Sequence, residues 1–244
     1  MIIVTGMHRS GTSLAALVLR ELGADFGPAD RLYDADRWNA NGYLERVDTV
    51  DLNSRMITGH ARTTSRVAAV RSQLGYLRMP SAASVAARAQ QLESERQVLA
   101  GSLDGLFVKD PRFCITLRQW TERQAGLIVA LRHPSASVAS LRKRNRLPEA
   151  LGHRFWRWHM EQVLPFLGPE TLVIRQDRLT GPDHADEVDR IRSWMSEVAG
   201  VAATPMANDV IDTSLVHHAP STEGVPHQSL ELWDQLLAAR SWHS

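Results

Sequence analysis

The sequence predicts an α/β protein of three layers, with helices on both faces of a central parallel sheet. Two observations carry this expectation. Four short, continuous apolar runs of strand length alternate with segments of helical periodicity, the pattern of strands covered on both faces. The first run passes through a glycine-bounded loop straight into a helix, which is the opening unit of a parallel sheet.

Element by element, residues 1–4 read as a buried strand, and Leu14, Leu17, Val18 and Leu22 recur at helical spacing until Gly23 stops them. Residues 25–60 are polar and weakly periodic and read as loops with short helices. Val85, Ala89, Leu92 and Leu99 mark one face of a helix over 83–100. Residues 106–108, 127–131 and 172–174 are the remaining strands. Helices are predicted over 113–123, 134–144 and 149–167. The last of these carries Trp156 and Trp158, which cannot both face one core. One of them therefore edges a cleft or an oligomer contact, and a homodimer is compatible with that. Val188, Ile191, Met195 and Val198 predict a later amphipathic helix, 203–228 a long surface segment, and 229–240 a closing helix. No repeat interrupts residues 1–244, which are read as one domain.

A chain of 244 residues with 43% apolar and 23% charged residues is ordinary for a globular protein. The net charge of +1 conceals how the positive charge is made. Of 28 Lys and Arg residues only Lys109 and Lys143 are lysines, leaving 26 arginines. A GC-rich genome explains the bias, and a lysine that survives it is a candidate for chemistry. Cys114 stands alone, so an intrachain disulfide is excluded and a reducing compartment is expected. The opening has no signal-peptide pattern and no window reaches the length of a membrane span. The expectation is a soluble, cytoplasmic protein with no integral membrane segment.

The chemistry begins after the first strand. Gly6, Met7, His8, Arg9, Ser10, Gly11, Thr12 and Ser13 have the form G-x-x-x-x-G-T-S. This resembles the phosphate-binding loop G-x-x-x-x-G-K-[ST], with Thr12 in the lysine's place. Backbone N–H groups of such a loop and of the following helix converge on one anion. Arg9 supplies a cation from within it, and Ser10, Thr12 and Ser13 supply hydroxyls. The bland alternative is a glycine turn with a Ser/Thr helix cap. After the strand 127–131 comes Arg132-His133-Pro134, with Ser140 about two helical turns beyond. A guanidinium at a strand's carboxyl end with a hydroxyl near it makes a second phosphate clamp. Alone, this pair is equally a solvated arginine and a helix serine.

Together the two segments resemble the sulfotransferases that use 3′-phosphoadenosine 5′-phosphosulfate (PAPS), most closely their bacterial branch. His8-Arg9-Ser10-Gly11-Thr12-Ser13 is similar to the family's 5′-phosphosulfate loop, and Arg132 with Ser140 to its 3′-phosphate clamp. Asn41-Gly42-Tyr43-Leu44-Glu45 resembles the branch's Asn-Pro-Lys-Gly-Tyr-Trp-Glu segment. Lys109-Asp110-Pro111-Arg112 resembles its Lys-Asp-Pro-Arg turn. Motifs run in matching order from residue 2 to about 180, and Ser214-Leu215-Val216-His217-His218 loosely matches a late lid. Where the family often has Tyr-Glu-Asp-Leu, this chain has Gln176-Asp177-Arg178-Leu179.

The resemblance implies a P-loop NTPase-like sulfotransferase fold, in-line sulfuryl transfer from PAPS to an acceptor hydroxyl, and release of adenosine 3′,5′-bisphosphate without a metal. By that resemblance Arg9 neutralises the 5′-phosphate and Lys109 touches the bridging oxygen or sulfuryl group. Glu45 takes the acceptor proton as a carboxylate with a raised pKa, or else binds an arginine of segment 25–60. Asp110 is the reserve base, or orients Lys109 or Arg112. The acceptor is a small molecule or glycan: a carbohydrate or glycolipid hydroxyl first, a natural-product hydroxyl second. Segments 25–80 and 203–228 shape its pocket or lid.

Other signals are bland. The run 142–146 is basic but carries no interleaved aromatics, so a helix C-terminus explains it better than nucleic acid, with attraction of an anionic ligand as the alternative. His153, His159, His217 and His218 lack zinc-site spacing and read as structural or solvated. Two competing functions remain open at this point: a P-loop kinase or nucleotide hydrolase, and an inactive nucleotide-binding protein of the same fold.

Overall fold

The computed structural model describes residues 1–34, 42–61, 73–206, 211, 220–239 and 242. Its strands are β1 (Ile2–Thr5), β2 (Phe107–Lys109), β3 (Gly126–Leu131) and β4 (Leu172–Arg175). All pair in parallel, in the order β2-β1-β3-β4, with Ile3 opposite Val108 and Leu127. The described helices are α1 (Thr12–Glu21), α2 (Val47–Thr58), α3 (73–77), α4 (Ala82–Gln91), α5 (Glu93–Gly101), α6 (Phe113–Thr116), α7 (Pro134–Asn145), α8 (Glu149–Val163), α9 (Gln176–Leu179), α10 (His184–Glu197) and α11 (His227–Ala238).

Strand side chains alternate between faces, and the alternation decides which helices cover which side. Ile2, Val4, Phe107, Ile128, Ala130, Leu172 and Ile174 pack with Ala16 and Leu19 of α1 and with Ile191 and Trp194 of α10. Ile3, Val108, Leu127, Val129 and Val173 pack on the other face with Met56 of α2, Trp156 and Met160 of α8, and Leu236 of α11. The result is an α/β architecture with a four-stranded parallel sheet flanked by helices on both faces. Each fully buried Leu, Ile or Val contributes roughly 1.5–3 kcal/mol toward holding these layers together.

Several expectations need correction. The second strand is shifted one residue along from the prediction, to Phe107–Lys109, with Lys109 pairing with Val4 at its end. The helix expected over 83–100 is two helices, with Leu92 between them in a non-helical conformation. The stretch 113–123 is one short α-helix followed by two single 3₁₀ turns. Within 25–60, read as loops with short helices, α2 runs for 12 residues. Its buried face mixes Thr49, Asn53 and Ser54 with Val50, Leu52, Met56 and Ile57, which blurs its apolar period. Trp156 is the core tryptophan of α8, and Trp158 is half-buried against Tyr76 and Phe155. Among the described residues, no helix is long and apolar enough to cross a membrane.

The topology also marks where a ligand fits. β1 and β3 are neighbours, yet β1 leads to α1 on one face while β3 leads to α7, whose Val138 and Leu141 pack on the other. Two loops that diverge from adjacent carboxyl ends leave a crevice between them, the usual ligand position in an open parallel sheet.

Candidate functional site

The loop leaving β1 is shaped by its glycines. Gly6 has φ 145°, and a Cβ there would collide with the carbonyl oxygen of Ala130 and lie 2.7 Å from Ser10 Oγ. Arg9 adopts φ 74°, a left-handed conformation costing about 1–2 kcal/mol in a non-glycine residue. The Ser10 N–H donates to the Met7 carbonyl at 3.0 Å, closing the turn. Gly11, at φ 90°, is the N-cap of α1 and brings no capping side chain. The first-turn amides of Thr12 and Ser13 therefore have no acceptor within the helix, so the Ser/Thr cap reading does not hold. Ser10 Oγ is buried and has no hydrogen-bond partner among the described residues. A buried hydroxyl left in that state is costly unless something else enters the loop.

The second segment comes to the same place. Pro134 occupies the first turn of α7, where its missing N–H costs nothing. This sets Ser140 on the side facing the loop, and Arg9 Nε donates to Ser140 Oγ at 2.9 Å. Arg132, at the carboxyl end of β3, donates through a terminal guanidinium nitrogen to the Arg9 carbonyl at 3.4 Å. Arg144 follows Ser140 by one helical turn on the same face. Burial lowers the pKa of Arg9, and the charge of Arg144 lowers it further. Burial likewise lowers the pKa of Arg132, with Arg9 adding to the effect. Like charges crowded at the edge of a crevice favour an anion. Ser221 of the late segment reaches the first turn of α7, its N–H donating to Ser135 Oγ at 3.0 Å.

At the end of β2, Lys109 is 1% exposed. Its three ammonium hydrogens have three acceptors: Glu45 Oε1 at 2.8 Å, the Tyr43 carbonyl at 2.9 Å and Ser13 Oγ at 3.1 Å. One bond thus ties Lys109 to the loop and two tie it to the segment leading into α2. Glu45 Oε2 lies 3.9 Å from Arg112. Two cations thus flank the Glu45 carboxylate. Asp110 is fully buried and orients Arg112 rather than Lys109, accepting from the Arg112 N–H at 3.0 Å and its guanidinium at 2.9 Å. Burial opposes the charge on Arg112, but Asp110 and Glu45 outweigh it and hold its pKa above the usual value.

The loop Arg9, Ser10, Gly11, Thr12 and Ser13 thus meets Arg132 and Ser140 at the carboxyl ends of β1 and β3, with Lys109 and Glu45 joined to it through Ser13. His8 differs. Its ring packs edge-on against Tyr76 and His159, at centroid distances of 5.6 and 6.2 Å. His159 is a core histidine, as expected. Burial lowers its pKa to about 4, its Nδ1–H donates to the Phe155 carbonyl at 2.7 Å, and its Nε2 accepts from the Tyr76 hydroxyl at 2.6 Å. Asn41 and residues 214–218 lie outside the described residues.

Two neighbours of the crevice were not singled out as site residues. Arg112 was legible in principle, since it sits in the Lys-Asp-Pro-Arg turn. Gln176, which stands where a tyrosine was expected, lies over the loop; a Cβ at Gly11 would be 2.9 Å from its Cγ. No family model, curated protein or solved structure matches this chain.

Proposed function

We propose that this chain is a sulfotransferase that moves the sulfuryl group of PAPS to an acceptor hydroxyl. The observation that carries the reading is the junction of two anion pockets in one crevice, where Arg9 reaches Ser140 and Arg132 reaches the Arg9 carbonyl. A donor carrying phosphate at both the 3′ and 5′ positions of one ribose needs two such pockets side by side. The residues fit it. The orphaned Ser10 hydroxyl and the first-turn amides suit the 5′-phosphosulfate, and Arg132 with Ser140 suits the 3′-phosphate. Thr12 stands where a nucleoside triphosphate would call for lysine.

PAPS supplies an S–O bond that breaks at the bridging oxygen while the acceptor oxygen forms a new one, and adenosine 3′,5′-bisphosphate leaves. The chain's own residues do the rest. Arg9 and the loop amides hold the charge that accumulates on the leaving phosphate. Lys109, already bonded to Ser13 of the loop, directs its ammonium to the same region. Glu45 accepts the acceptor proton, and Arg112 on its far side holds the carboxylate in place. The acceptor proposed is a carbohydrate, glycolipid or natural-product hydroxyl.

Radiolabelled PAPS offered with a broad panel of hydroxyl acceptors tests this. Label should pass to at least one acceptor, bisphosphate should accumulate with it, and a metal chelator should leave the rate unchanged. Mg²⁺-dependent ATP turnover with PAPS ignored would overturn the reading in favour of a kinase or hydrolase. Nucleotide binding with no transfer to any acceptor would reduce the chain to a binding protein.

A further inference from the structure

We infer that Asn53 is a positioning residue for the Glu45–Lys109 centre, acting through Asp110 and Arg112. Asn53 lies on α2, two turns beyond Glu45, and is 0% exposed. A buried carboxamide must find partners at both ends, and this one does so unequally. Its Oδ1 accepts from Thr116 Oγ1 at 2.8 Å and from Trp120 Nε1 at 3.0 Å. Both donors belong to the helix and turn that follow β2, so this end is anchored in the core. Its Nδ2 donates to Asp110 Oδ2 at 2.9 Å.

Asp110 has nowhere else to turn. Its backbone is fixed by a bond from its N–H to the Val4 carbonyl at 3.1 Å and by Thr5 Oγ1 donating to its carbonyl at 3.0 Å. With Oδ2 held by Asn53, Oδ1 faces Arg112, whose N–H and guanidinium it receives. Arg112 in turn stands 3.9 Å from Glu45 Oε2, opposite Lys109 on Oε1. Asn53 is thus the fixed end of two charge-assisted links, to Asp110 and on to Arg112, and the ion pair of Arg112 with Glu45 carries them to the proposed base. Without its amide, Asp110 loses one of the bonds that set its carboxylate, so the Arg112 guanidinium it orients is braced more weakly, and so is Glu45 beyond it. Misplacement of a reacting group by about 1 Å costs on the order of 10²-fold in rate.

The activity readout rests on the sulfotransferase reading, so the test is arranged to separate the two. Asn53→Asp keeps the shape and the oxygen facing Thr116 and Trp120, and sets a second carboxyl oxygen against Asp110 in place of the donor. Thr116→Val breaks a bond at the other end of the same side chain. Both variants and the wild type are measured for thermal melting, for affinity toward adenosine 3′,5′-bisphosphate by calorimetry, and for kcat and KM with PAPS. Asn53→Asp should bind the bisphosphate within about threefold of wild type, keep its KM for PAPS, and lose about 10- to 100-fold in kcat. Thr116→Val should melt earlier but keep kcat within about twofold. Equal losses of kcat in the two variants would make Asn53 merely structural and overturn the inference, as would wild-type kcat in Asn53→Asp. Should the second carboxyl prevent folding, Asn53→Ser replaces it, with the same expected loss and the same overturning result. A wild-type protein that transfers nothing from PAPS defeats the sulfotransferase reading instead, and is distinguished by failing before any variant is compared.

Discussion

Lys109→Ala should lower kcat for sulfuryl transfer by about 10²- to 10³-fold and destabilise the fold by about 3 kcal/mol. Both losses come from one location. The ammonium is 1% exposed and its three hydrogens reach Glu45, the Tyr43 carbonyl and Ser13, so no water stands ready to replace them. Truncation takes from the buried Glu45 carboxylate its 2.8 Å partner, with Arg112 standing farther off at 3.9 Å, and removes a cation bonded to the loop. Lys109→Arg sharpens the test. A chain with 26 arginines and two lysines would tolerate arginine here if charge alone mattered. A planar guanidinium cannot place three donors around one nitrogen as an ammonium does. Lys109→Arg is therefore expected to fold but to transfer poorly in steady-state assays. Wild-type kcat in that variant would show that the lysine is incidental.

Glu45→Gln is expected to cost about 10²- to 10⁴-fold in kcat, the range for loss of a general base, while leaving affinity for adenosine 3′,5′-bisphosphate unchanged. The substitution keeps the side chain's size and an oxygen for Lys109 to donate to, so a purely steric role would survive it. It removes the group able to take a proton. The donor residues Arg9, Ser140 and Arg132 are bonded to one another and Glu45 to Lys109, which is why binding and rate should separate. Full kcat in Glu45→Gln would remove this residue as the base. Asp110 could not readily replace it, because its carboxylate is fully buried and engaged by Asn53 and Arg112.

The parts of the molecule written by short-range physics were legible before the fold was known. β1, β3 and β4 are covered on both faces, so they read as continuous apolar runs. Gly6 and Gly11 stand where the backbone takes positive φ, so the loop announced itself. α2 did not. Three of its inward residues are polar: Ser54 bonds back to the Val50 carbonyl and Thr49 to its neighbour Asp48, but Asn53 is satisfied by Asp110, Thr116 and Trp120, far along the chain. No periodicity rule anticipates a buried asparagine whose hydrogen-bond partners come from elsewhere in the chain. The break at Leu92 has neither glycine nor proline to signal it. The sequence could place Arg9 near one strand end and Ser140 beyond another, but the bond between them spans 131 residues and exists only once β1 and β3 are neighbours. The same holds for Glu45 and Lys109, 64 residues apart.

Calorimetry with adenosine 3′,5′-bisphosphate, set against AMP, probes the two-pocket crevice most directly. Wild type should bind the bisphosphate, and bind it more tightly than AMP, which lacks the 3′-phosphate. Arg132→Ala should weaken the bisphosphate by about 10- to 100-fold, the worth of charge-assisted hydrogen bonds to one phosphate, and should no longer tell the two nucleotides apart. Equal affinity for both nucleotides in the wild type, or an Arg132→Ala protein that still prefers the bisphosphate, would contradict a second phosphate pocket at the end of β3.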